Sequence, residues 1–155
     1  MKTAPVFSSN MVLQRGKNVR IFGQCDADED IRVSIPELQI GTEALVSNGS
    51  WTAVLPPMEA HSSVTVEVSS ESGSIIFTNV AIGEVWLAGG QSNMEFELQN
   101  DKNSAQALAE CADENVRFYY TPKCEMTDDK LISSENASRW DMPSAEKSRA
   151  WSAVG

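Results

Sequence analysis

Residues 83–98 read GEVWLAGGQSNMEFEL: an apolar run, Val85-Trp86-Leu87-Ala88, stops at Gly89-Gly90 and gives way to Gln91-Ser92-Asn93. The run has almost no alternation of apolar with polar side chains, the pattern of a strand covered on both faces and the habit of parallel sheets. Downstream, Ala105, Leu108, Ala109 and Ala112 fall at i, i+3, i+4 and i+7 and predict a helix over residues 104–112, with Asn103 as its N-cap. Val116-Arg117-Phe118-Tyr119-Tyr120 then reads as a second strand, stopped by Pro122. Strand, helix and strand make one βαβ unit with a right-handed crossover. On this reading Ser92 stands at the carboxyl end of a parallel strand, the rim where α/β folds hold their ligands.

Upstream of about residue 81 the text is of another kind. Val19-Arg20-Ile21-Phe22-Gly23 and Ile31-Arg32-Val33-Ser34-Ile35 alternate apolar with polar residues, as a half-buried strand does. Asn48-Gly49, between Ala44-Leu45-Val46 and Trp51-Thr52-Ala53-Val54-Leu55, tolerates positive φ at both positions and predicts a hairpin; Pro56-Pro57 ends its second strand. Glu71-Ser72-Gly73 marks another hairpin, between Val64-Thr65-Val66-Glu67-Val68 and Ile75-Ile76-Phe77. Short strands and turns in this density predict an antiparallel β-sandwich, jelly-roll or immunoglobulin-like, over residues 1–80. Trp51 is read as core rather than as a sugar-stacking ring. After Pro122 the text is polar, and Trp140 and Trp151 are expected to pin a long surface segment.

With 22 acidic against 12 basic residues the chain carries a formal charge of -10, so a nucleic-acid backbone or an anionic membrane surface would repel it. No apolar stretch approaches the ~20 residues that span a bilayer. Neither nucleic acid nor membrane is expected as a partner. No apolar segment follows Met1-Lys2-Thr3, so a secretory signal is expected to be absent or already removed. Cys25, Cys111 and Cys124 are odd in number and have no C-x-x-C spacing; structural thiols are expected, and one pair could bridge in an oxidising compartment. Asp26, Asp28, Glu29 and Asp30 fit no EF-hand spacing and read as a solvated turn. No metal or cofactor is expected.

A hydroxyl held at a crevice rim, with glycines that admit close approach and with backbone N–H groups beside it, suits a nucleophile whose own amide binds a tetrahedral oxyanion. The alternative on spacing alone is a glycine-rich turn with a capping serine. The wider text resembles the sialate O-acetylesterase family of the SGNH hydrolases. The likeness lies in Gly83-Glu84-Val85-Trp86 with Gly90-Gln91-Ser92-Asn93-Met94-Glu95, in Phe7-Ser8-Ser9-Asn10-Met11-Val12-Leu13-Gln14-Arg15, in Trp51 with Leu55-Pro56-Pro57, and in Trp151-Ser152-Ala153-Val154-Gly155. The resemblance implies a serine ester hydrolase that removes acetyl groups from sugars, a periplasmic or secreted setting, and a sandwich beside a flavodoxin-like α/β domain whose amino-terminal portion would be residues 81–155. It implies Ser92 as nucleophile, with Gly90, Gln91 and Asn93 forming the turn and oxyanion surroundings, and an O-acetylated sugar as the substrate partner.

The oxyanion asparagine and Asp-x-x-His pair of such a site have no match in these 155 residues. His61 is the single histidine, placed by its surroundings in a sandwich connection and read as a solvated turn residue. Glu95 and Glu97 are weak bases for a serine, and Glu84 is read as marking the start of its strand, at the far end of the sheet. The expectation is therefore a chain inactive alone, with self-association through the incomplete sheet. The rival is a non-catalytic β-sandwich module that binds sugar or steadies a neighbouring domain.

Overall fold

Wherever apolar and polar residues alternate in the first half of the chain, a strand forms. The computed structural model describes residues 1–26, 29–121 and 128–155. Strands β1 (Lys2–Thr3), β2 (Val12–Gln14), β3 (Val19–Gln24), β4 (Arg32–Ile35), β5 (Ile40–Glu43), β6 (Leu45–Ser47), β7 (Ser50–Leu55), β8 (His61–Ser70) and β9 (Gly73–Gly83) come first. Helix α1 (Ser104–Glu110), strand β10 (Phe118–Tyr119), helix α2 (Asp128–Ala137) and strand β11 (Trp140–Asp141) follow.

One four-stranded sheet runs β1-β3-β7-β6, a five-stranded sheet runs β2-β9-β8-β4-β5, and β10 pairs with β11 alone. The β6–β7 hairpin turns through Asn48 and Gly49 at φ 52° and 74°, with Ser47 opposite Ser50. Those angles need a residue without strong steric objection to positive φ, which asparagine and glycine supply. Inward residues of both large sheets, among them Ile21, Trp51 and Leu55 on one and Val33, Ile35, Val66 and Val80 on the other, join a single apolar cluster. Trp51 is 1% exposed and its indole N–H donates to the Lys2 carbonyl at 3.1 Å, so it is a core residue that also fastens β1.

The expected fold class, an antiparallel jelly-roll or immunoglobulin-like sandwich followed by a partial flavodoxin-like α/β segment, is not what the chain forms. The architecture is mostly strands in mixed, curled sheets, with two helices among the described residues. In the five-stranded sheet β2 lies parallel to β9, Val12 opposite Ala81 and Gln14 opposite Gly83, so the sheet is mixed. The run at 85–88 is not a strand: Trp86 is 85% and Leu87 99% exposed. Phe118 and Tyr119 pair antiparallel with Asp141 and Trp140 rather than parallel to the 85–88 run, so no βαβ unit closes. A run without alternation becomes a buried strand only when neighbours cover both faces and take its backbone hydrogen bonds. Among the described residues no strand does so.

Two smaller expectations also change. His61 opens strand β8, opposite Ile82, instead of lying in a connection. Helix α1 forms where the 3.6-residue spacing predicts but ends at Glu110 and buries no side chain; Asn103 precedes it without a side-chain cap, and Asp101 Oδ1 instead accepts the Asn103 N–H at 2.8 Å. Cys25 and Cys111 are free thiols. Cys124, Pro122 and Asp28 lie outside the described residues.

Candidate functional site

Strand β9 hands the chain to the candidate site at Gly83, and the hand-over is clamped. Gln14 and Arg15, at the end of β2, grip Glu84: Arg15 Nε donates to its carboxylate at 2.6 Å and Gln14 Nε2 at 3.0 Å. The Gln14 carbonyl oxygen Oε1 accepts the Val85 N–H at 2.9 Å, and the Arg15 N–H donates to the Gly83 carbonyl at 2.9 Å. Glu84 is thus held below the ordinary carboxylate range, first by the hydrogen bond from Gln14 and then by that from Arg15. Sequence reasoning placed Glu84 at the far end of a sheet and gave Gln14 and Arg15 no role; their clamp spans about seventy residues and leaves no local signal.

Beyond the clamp, residues 85–91 are exposed and belong to no strand or helix, and the chain then folds into successive turns. Met94, Glu95 and Phe96 donate their N–H groups back to Gln91, Ser92 and Asn93 at 2.9, 3.2 and 3.3 Å. Ser92 opens this turn and is exposed, as are Gly90, Gln91 and Asn93. Among the described residues, the backbone N–H groups of residues 90–93 donate no hydrogen bond to protein. A small cluster of unused amides beside an exposed hydroxyl is an arrangement that can receive developing negative charge.

Gly90 meets a close-approach requirement: a Cβ there would lie 2.5 Å from Met94 Cγ. Met94 also closes the site from the other direction, since a Cβ on Gly155 would stand 2.9 Å from its methyl group and 3.1 Å from the Ala88 Cβ. Gly89 has no such neighbour, so of the two glycines Gly90 is the one whose missing side chain shapes the turn. The segment 151–155 is fastened alongside: Leu98 donates to the Trp151 carbonyl and Ala153 to the Phe96 carbonyl, both at 2.8 Å, and Glu97 bridges antiparallel to Ser152. Ser152 Oγ accepts the N–H groups of Val154 and Gly155 at 3.2 and 3.1 Å, the contacts of an N-capping serine.

Ser92, Gly90, Gln91 and Asn93 therefore share one exposed turn. His61 belongs to β8, within the five-stranded sheet. Glu97 receives the Gln99 side-chain amide at 2.6 Å. Met94, Ser152 and Gly155 are members of the site that spacing did not reveal.

No family model matches the chain. It is 27% identical to the sialate O-acetylesterase of Mus musculus over 103 residues, which are 63% of this chain and 19% of that protein. Its fold superimposes on the crystal structure of a carbohydrate acetylesterase from Xanthomonas citri with a TM-score of 0.84 at 25% identity, over 99% of this chain and 35% of that one. The chain thus spans about a fifth of the first relative's length and about a third of the second's.

Proposed function

We propose, from the premise that the chain belongs to the sialate and carbohydrate acetylesterase family, that it is the nucleophile-bearing part of a sugar O-acetylesterase. In this reading residues 1–80 are the sheet-rich support and residues 81–155 the amino-terminal portion of the SGNH-type hydrolase domain. The observation that carries it is the exposed Ser92 hydroxyl at the head of a turn whose neighbouring amides are unused.

The chemistry follows from that geometry. Ser92 Oγ attacks the acetyl carbonyl carbon of an O-acetylated sugar while its proton passes to a base; the carbonyl oxygen gains the negative charge, which the Ser92 N–H and its neighbours receive. Collapse breaks the ester bond, and the sugar oxygen leaves with the proton, giving an acetyl-serine that water hydrolyses to acetate. A serine alcohol at neutral pH needs the base within hydrogen-bond reach. The single histidine opens β8; in this reading the base comes from residues outside these 155. Self-association through the exposed run at 85–88 belongs to the same proposal.

Fluorophosphonate labelling tests it. In a protein that carries this chain within the full esterase, the label is expected on Ser92 and Ser92→Ala is expected to abolish both labelling and acetate release. Labelling at another residue overturns the assignment. The 155-residue chain alone is expected to give no turnover of p-nitrophenyl acetate above background; turnover that Ser92→Ala removes would show the base to lie within it.

A further inference from the structure

Met94 is half-buried in a turn whose other residues, Gly90 to Asn93 and Glu95, are exposed. Its side chain runs between two glycines. Cγ lies 2.5 Å from where a Cβ of Gly90 would stand, and the methyl carbon 2.9 Å from where a Cβ of Gly155 would stand. Carbon atoms in ordinary contact keep about 3.5–4.0 Å apart, so the slot exists only because both positions lack a side chain. Sδ, which joins the two carbons, is 3.9 Å from the Gly90 position.

Both ends of the slot are fixed by hydrogen bonds. On the Ser92 side the Met94 N–H donates to the Gln91 carbonyl at 2.9 Å and the Glu95 N–H to the Ser92 carbonyl at 3.2 Å. On the other side Gly155 donates to Ser152 Oγ at 3.1 Å, while Ser152 bridges to Glu97 and Ala153 donates to the Phe96 carbonyl at 2.8 Å. Met94 is thus the side chain that sets the spacing between the Ser92 turn and residues 152–155. An unbranched thioether suits such an irregular gap. Its sulfoxide does not: the added oxygen needs room and a hydrogen-bond donor between two glycine backbones.

We propose that Met94 is a positioning residue for Ser92 and an oxidation-sensitive control on it: the thioether holds the turn in place, and the sulfoxide leaves the slot and loosens it. The oxidant is a peroxide. The sulfur lone pair attacks one peroxide oxygen, an S–O bond forms as the O–O bond breaks, and the departing hydroxide takes the proton of the transferred oxygen and leaves as water. Sulfur is oxidised and the peroxide reduced by the same electron pair; a dithiol reductase acting on methionine sulfoxide reverses the change. The effect on turnover rests on the esterase reading, whereas the effect on the turn does not. Met11 and Met58, 1% and 4% exposed, are sealed in the core. Met1 and Met142 are half-buried like Met94, and Met94→Leu separates their oxidation from its own.

Hydrogen peroxide treatment tests the proposal in a protein that carries this chain within the full esterase. Oxidation is expected to lower kcat on p-nitrophenyl acetate about tenfold through misplacement of the nucleophile, with KM changed by less than about twofold. Met94→Ala is expected to reproduce that loss without peroxide. Met94→Leu, close in volume, is expected to keep kcat within about twofold and to resist peroxide. Equal inhibition of the Leu variant, or full kcat in Met94→Ala, overturns the proposal. In the 15N- and methyl-13C-labelled 155-residue chain, peroxide is expected to move the Met94 methyl and the Gly90 and Gly155 amides together, and to leave both amides in place in Met94→Leu. Those shifts without any Ser92 labelling in the full esterase would sink the esterase reading while supporting the Met94 slot; Ser92 labelling with both amides unmoved by Met94 oxidation would overturn the slot alone.

Discussion

Residues 1–83 and residues 84–155 differ in what their apolar side chains touch. Every buried apolar side chain among the described residues lies between Met11 and Ile82, whereas beyond residue 83 the buried described residues are Ser138 and Ser148. Composition does not explain this, since the second stretch has Trp86, Leu87, Phe96, Ile132 and Val154, all exposed. The difference is partnership. In the first stretch each strand has a neighbour and a facing sheet; in the second the apolar residues sit in turns, short helices and a separate two-stranded ladder whose Trp140 rests half-buried against the core of the first stretch. Hydrophobicity makes burial favourable, but a covering surface has to exist before it happens.

The contrast can be broken most strongly at Trp51. Trp51→Ala leaves a cavity in the shared core and removes the indole bond to the Lys2 carbonyl, and is expected to cost about 3–5 kcal/mol in urea-induced unfolding; a cost below about 1 kcal/mol would mean the two sheets do not share a rigid core. Gly90→Ala comes next. It forces Met94 to move, at a cost of about 1–3 kcal/mol, and is expected to shift the Met94 methyl resonance and slow Ser92 labelling while leaving the amide protection of β3 and β7 unchanged.

Leu87→Ser, at a fully exposed position, is expected to change stability by less than about 0.5 kcal/mol yet to reduce self-association in sedimentation velocity. A stability loss comparable to that of Trp51→Ala would show that the run at 85–88 is covered in solution. The smallest effect concerns the clamp. Because Glu84 is held below its ordinary value, its contribution is present above the unfolded carboxylate pKa and is lost as pH falls through the lower folded one. Hydrogen exchange of the Val85 amide is expected to accelerate over that acid range, and Glu84→Gln to flatten the dependence; unchanged acceleration in the variant would remove Glu84 as its cause.

How far the sequence could be read varies in the same way. The hairpin at Asn48-Gly49 was legible because two adjacent residues contain its whole geometry, φ 52° and 74°. Helix α1 was legible from four apolar positions at helical spacing, although its N-terminal support comes from Asp101, a position that pattern matching does not single out. The run at 85–88 was misread because absence of alternation records only that a segment tolerates burial. Gln14, Arg15 and Glu84 were not assembled in advance because their contact is made by the parallel register of β2 on β9, a pairing no local text encodes.

The chain's own letters therefore determined the strands of the first half, their turns, the place of Trp51 in the core and the serine-bearing turn among its glycines. These depend on φ preferences and side-chain periodicity, which act within a few residues. Tertiary structure alone decided that β2 lies parallel to β9, that Glu84 is gripped from the amino-terminal segment, and that Trp151 and Ser152 come to rest beside the turn of Ser92. Such contacts depend on which surfaces remain uncovered after the local elements have formed, and that is a property of the whole chain in space.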